Sequence, residues 1–126
     1  MPEPKILLSI VELGGYENFT PLYRRLGYRV DTVTSGRKAT AYLKAQQPAV
    51  IVAEFNFQPN FRDRTSNLES ILATVQRMQA EGVQIVVFYD REFADRLELL
   101  RERFPGFSAL PHPIDKAALE ALLRTP

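Results

Sequence analysis

Few residues in this chain are suited to chemistry: carboxylates at Glu12 and Glu54, the adjacent Tyr89 and Asp90, and a single histidine, His112. Converging carboxylates can hold Mg²⁺ through hard oxygens, and an imidazole with an ordinary pKa of about 6.5 can act as a base or a pH sensor. No nucleophile or orienting carboxylate is predicted beside His112, and Pro111 and Pro113 on either side predict a rigid turn, so a structural role is expected for it. Gly14-Gly15 lacks both the Gly-Lys-Ser/Thr ending of a phosphate cradle and the full dinucleotide fingerprint, and reads as a turn. The absence of cysteine excludes disulfides, thiolate catalysis and Cys-ligated zinc, and a lone histidine gives no basis for an imidazole metal site; no metal or cofactor is expected.

The least generic stretch runs from Phe55 to Thr65, where Phe55, Phe57 and Phe61 lie among Arg62 and Arg64. Aromatic and arginine side chains concentrate at binding hot spots, so Phe57, Phe61, Arg62 and Arg64 are candidates for contact with a protein partner. The competing expectation is that two of the phenylalanines fold down as a plug over an adjacent cleft.

The elements that must position these groups belong to one domain spanning 1–126, since 126 residues and 14.4 kDa leave little room for a second. A composition 45% hydrophobic and 25% charged is that of a folded soluble domain. Sixteen Lys and Arg against fifteen Asp and Glu are interspersed, so the phosphate-backbone footprint of a nucleic-acid binder is missing. Stacking of single strands on the aromatics would also need a basic groove. The first apolar run, Lys5 to Val11, is broken by Ser9, far too short to span a membrane, and followed by no signal-cleavage pattern; a cytoplasmic protein with no membrane partner is expected.

Periodicity orders the rest. Lys5 to Val11 reads as a strand buried on both faces, and Thr20-Pro21 as the N-cap and first turn of a helix ended by Gly27. Tyr28 to Thr34 alternates like an edge strand, Ser35 caps a helix through Gln46, and Ala49 to Ala53 is the most apolar and hence central strand. Ser66-Asn67-Leu68-Glu69 is a capping box opening a helix with Leu68, Ile71, Leu72, Val75 and Met78 at helical spacing. Val83 to Tyr89 is a fourth strand, Asp90 caps a helix carrying Phe93, Leu97, Leu100 and Phe104, Phe107 to Leu110 is a fifth strand, and Asp115 caps a last helix. Strict alternation implies a three-layer α/β fold: a five-stranded parallel sheet with helices on both faces and a site outside the carboxyl ends of the strands.

With Leu26-Gly27-Tyr28 entering the second strand, Gln47-Pro48 before the apolar Ala49–Ala53 run, and His112-Pro113-Ile114-Asp115 after the fifth strand, the chain resembles the receiver domain of bacterial two-component response regulators. The resemblance covers nearly its whole length and implies the flavodoxin-like (βα)5 architecture. It also implies an acidic pair after the first strand and an aspartate after the third that together hold Mg²⁺ while the aspartate takes a phosphoryl group, a Ser or Thr after the fourth strand, and a lysine before a proline whose bond is typically cis. Here the acidic-pair positions are Ile10 and Val11, the phosphoacceptor position is Glu54, the Ser/Thr position is Tyr89 and the lysine position is His112.

Phosphoryl transfer relies on positioning and charge neutralisation, and aliphatic side chains bring no oxygen to Mg²⁺. The expectation is a degenerate, non-enzymatic pseudo-receiver in a bacterial signalling pathway that works by binding another protein. Self-association through the fourth helix, fifth strand and fifth helix is a further option, hinted at by Leu99. Glu54 is expected either to mimic a phosphoaspartate or to be solvated at a strand end, the latter favoured. Two alternatives stay open: a phosphorylatable receiver in which Glu12, Glu54 or Asp90 replace the usual ligands, and a small-molecule binder with a sizeable cleft at the strand ends.

Overall fold

A computed structural model of the protein describes residues 5–12, 16–55, 68–78 and 82–124. The strands β1 (Ile6–Ile10), β2 (Arg29–Val33), β3 (Val50–Glu54), β4 (Gln84–Tyr89) and β5 (Phe107–Pro111) alternate with α1 (Thr20–Arg25), α2 (Gly36–Ala45), α3 (Glu69–Arg77), α4 (Ala94–Arg103) and α5 (Lys116–Arg124). They form one parallel sheet in the order β2-β1-β3-β4-β5. The expected central strand is central and buried throughout, and β2 is an edge.

Side chains alternate across each strand, which divides the core in two. Leu8, Ile10, Ile51, Ala53, Phe55 and Val87 pack with α2, α3 and α4, whereas Leu7, Val50, Val52, Val86 and Phe88 pack with α1 and α5. Helix ends follow local chemistry. Ser35 Oγ accepts from the Lys38 amide at 3.1 Å and Asp115 Oδ1 from the Ala117 amide at 2.9 Å, as their N-cap roles require. Gly27 takes a positive φ (96°) just past α1 and Gly82 (84°) just before β4, where a Cβ would be strained. At the carboxyl end of α5, Tyr28 donates to the Leu123 carbonyl (3.0 Å) and Gln84 to the Leu122 carbonyl (2.7 Å), tying the helix to β2 and β4. No helix among the described residues is long and apolar enough to cross a membrane.

Three local expectations need correction. Thr20 is the first residue of α1 rather than its cap; Phe19 holds the cap position and Asn18 Oδ1 accepts the Thr20 amide (3.0 Å). Asp90 caps a 3₁₀ turn, Arg91–Phe93, that leads into α4, because its Oδ1 closes on the Glu92 amide (2.9 Å). Phe55, the first aromatic of the Phe55–Thr65 stretch, belongs to the core rather than to that stretch: it is 1% exposed, since continuing the β3 alternation past Glu54 turns its ring into the α2/α3/α4 core. The serine of the expected capping box, Ser66, lies outside the described residues, as do Gly14 and Gly15.

Candidate functional site

The carboxyl ends of β1, β3 and β4 are held by backbone bonds that run past the strands: Val11 N–H to the Val33 carbonyl (2.9 Å), Phe55 N–H to Phe88 (2.8 Å) and His112 N–H to Tyr89 (2.8 Å). Ile10 is 1% exposed, with its side chain among hydrocarbon on the α2/α3/α4 face, while Val11 is 37% exposed at the sheet end. Tyr89 is half-buried on the same face as Ile10.

Glu54 occupies the opposite face and pairs in register with Phe88. The expectation of a solvated side chain is wrong: Glu54 is 4% exposed and its Oε1 accepts the backbone N–H of Glu12 at 3.2 Å. Turning inward from the strand end, it is held by a main-chain donor next to the two aliphatic positions. Asp90 is engaged as the cap of the 3₁₀ turn. Among the described residues no three acidic, histidine or cysteine groups are arranged to hold a metal. Ile10 and Val11 bring only hydrocarbon, so the described residues at this end do not fit a Mg²⁺ site.

His112 precedes Pro113 through a cis peptide bond, as the resemblance implies, and is exposed. Its ring meets Tyr16 edge-on at 5.6 Å; Tyr16 lies 5.9 Å from Phe88, which meets Phe19 edge-on at 5.9 Å. This aromatic row crosses the strand ends. Burial, then the negative charges of Glu54 and Asp90, push the Tyr16 hydroxyl up to about 12, so it stays protonated at neutral pH.

Beside the row lies a cavity of about 310 Å³. Ile10, Val11 and Glu54 line it together with Ser9, Tyr16, Phe19, Tyr23 and Val52, whereas Tyr89 and His112 do not. Ser9, Phe19 and Tyr23 were not legible as site residues; the one trace of them was Ser9 interrupting the apolar run of β1. Phe57, Phe61, Arg62 and Arg64 lie outside the described residues, so neither the partner surface nor the plug expected of them is placed. Leu99 is exposed on α4 (47%).

Fold and strand-end geometry thus define the chain's class: a doubly wound α/β domain with the architecture of a CheY-like receiver. No family model matches the sequence, and no curated protein does. Solved structures do. The chemotaxis protein CheY4 of Vibrio cholerae is 18% identical, with 98% of this chain and 99% of that one covered at a TM-score of 0.72. A CheY-like response regulator receiver domain from Methylobacillus flagellatus is 23% identical over 97% of this chain and 98% of that one (TM-score 0.68). A response regulator receiver protein from Sinorhizobium medicae is 22% identical over 98% and 97% (TM-score 0.66). The chain has the fold of these proteins along its whole described length.

Proposed function

We propose that this chain is a pseudo-receiver: a signalling module of the two-component type that acts by binding a protein partner and does not undergo Mg²⁺-dependent phosphorylation. The observation that carries this reading is the state of the strand ends, where hydrocarbon stands at both acidic-pair positions and the Glu54 carboxylate is buried against the Glu12 amide. Removing one preorganised group of a reacting site typically costs ~10²-fold or more in rate. A site lacking two carboxylates and the lysine has too little left to stabilise a transferring phosphoryl group. The longer Glu54 side chain also displaces its oxygen, and misplacement by ~1 Å can cost ~10²-fold.

Intact mass after incubation with acetyl phosphate and Mg²⁺ tests the reading. The mass should stay unchanged; a phosphoryl adduct lost in Glu54→Gln would establish the alternative, a phosphorylatable receiver. The partner surface belongs to the same proposal and runs through Phe57, Phe61, Arg62 and Arg64. Pull-down with wild type against the Phe57→Ala, Phe61→Ala double variant checks it, and capture by both equally would remove these residues from the interface.

A further inference from the structure

Two buried hydroxyls border the cavity at the strand ends. Ser9 is 8% exposed and Tyr23 2%, both line the 310 Å³ space, and neither hydroxyl has a hydrogen-bond partner among the described residues. A buried hydroxyl without a partner is costly and is normally satisfied by protein, water or ligand. Burial raises the Tyr23 hydroxyl above its ordinary pKa, so it keeps its proton and can both donate and accept.

The two reach the cavity from different layers. Alternation puts Ser9 on the same face as Leu7, toward α1 and α5, between its register partners Thr32 of β2 and Val52 of β3. A leucine at this position would continue the apolar run of β1; the serine gives up that volume and sets a hydroxyl in the floor of the space. Tyr23 comes from α1, in the core cluster that also holds Leu7, Val52 and Phe88. The volume matches the lower end of small-ligand pockets, which are mostly apolar with a few placed polar groups.

Aromatic rings form much of the remaining wall. Phe19 and Phe88 meet edge-on at 5.9 Å, Tyr16 lies 5.9 Å from Phe88, and all three line the space. Rings so arranged suit a flat aromatic guest, since aromatic contacts favour edge-on and offset geometry. What Ser9 and Tyr23 lack is a group that donates and accepts, and a hydroxyl does both. We propose that the cleft between β1 and α1 binds a small aromatic molecule bearing hydroxyl groups, its ring against Phe19 and Phe88 and its hydroxyls bonded to Ser9 and Tyr23. This goes beyond the pseudo-receiver reading and does not rest on it, since phosphorylation and ligand binding are read by different measurements.

Phenol and resorcinol would be titrated to millimolar concentration into isotope-labelled protein and followed by amide NMR, with toluene as the ring without a hydroxyl and cyclohexanol as the hydroxyl without an aromatic ring. Phenol and resorcinol should give saturable shifts at Ser9, Phe19, Thr20 and Val52, with toluene and cyclohexanol roughly tenfold weaker. Ser9→Ala and Tyr23→Phe each remove one oxygen; each should weaken phenol and resorcinol several-fold and leave toluene unchanged, a difference that a merely structural role would not produce. The comparison of the four compounds on wild type stands even where a variant does not fold. The proposal is overturned if neither phenol nor resorcinol gives saturable shifts there, which would mean a cleft holding water only, if toluene or cyclohexanol binds as tightly, or if either folded variant keeps the full preference over toluene.

Discussion

The two faces of the sheet end differently. On the α2/α3/α4 face apolar side chains continue to the ends of the strands: Ile10, Ala53 and Phe55 are each at most 2% exposed and close the core there. One residue away on the α1/α5 face, the buried Ser9 and Glu54 bring a hydroxyl and a carboxylate to the wall of a cleft. The same strands thus serve stability on one side and keep room for chemistry on the other.

The largest effect should come from the closed face. Phe55→Ala should cost about 3–5 kcal/mol in denaturant unfolding, as removal of a fully buried ring does; a loss under about 1 kcal/mol would mean that the strand end is not packed as described. Ile10→Asp, an acid placed on that face, should cost about 3 kcal/mol or more, because the charge enters hydrocarbon. Its neighbour sharpens the contrast: Ser9→Ala removes a buried hydroxyl that has no partner among the described residues and should change stability by less than about 0.5 kcal/mol.

Between these lies Tyr42→Phe, which removes the 2.7 Å bond from the Tyr42 hydroxyl to Asp31 on the edge strand and should cost about 1 kcal/mol. The tyrosines also predict the alkaline limit. Tyr16 and Tyr42 are pushed up to about 12, Tyr16 by burial and then by Glu54 and Asp90, Tyr42 by burial and then by its bond to Asp31; Tyr23 and Tyr28 are raised by burial. A folded state that holds these protons more tightly than the unfolded chain is at full strength below about pH 10, the unfolded tyrosine value, and weakens as pH climbs toward 12. Denaturation midpoints measured across that window should fall, and fall less steeply in Tyr42→Phe.

Much of this was legible in the sequence, for reasons that differ by element. The apolar run of β3 and the Ser35 and Asp115 caps act locally, so pattern and side-chain chemistry were enough to locate the central strand and two helix starts. That Ile10 and Glu54 stand at the carboxyl ends of β1 and β3 followed from the bounds of two apolar runs. What could not be read were consequences of three-dimensional placement. Glu54 looked solvated because a strand end suggests exposure, while its burial depends on the Glu12 amide and the aromatic row above it. Phe55 read as the start of the aromatic–arginine stretch, yet one more alternation of β3 carries it into the core. The cleft joins Ser9 of β1 to Phe19 and Tyr23 beside and within α1, a meeting that the Thr20-Pro21 helix signal does not show.

The central claim is that the strand ends cannot assemble a metal-assisted phosphoryl site. Calorimetric titration of Mg²⁺ with beryllofluoride tests it directly. Wild type and Glu54→Gln should give the same trace, with no heat beyond dilution; saturable binding that needs both the metal and the Glu54 carboxylate would contradict it.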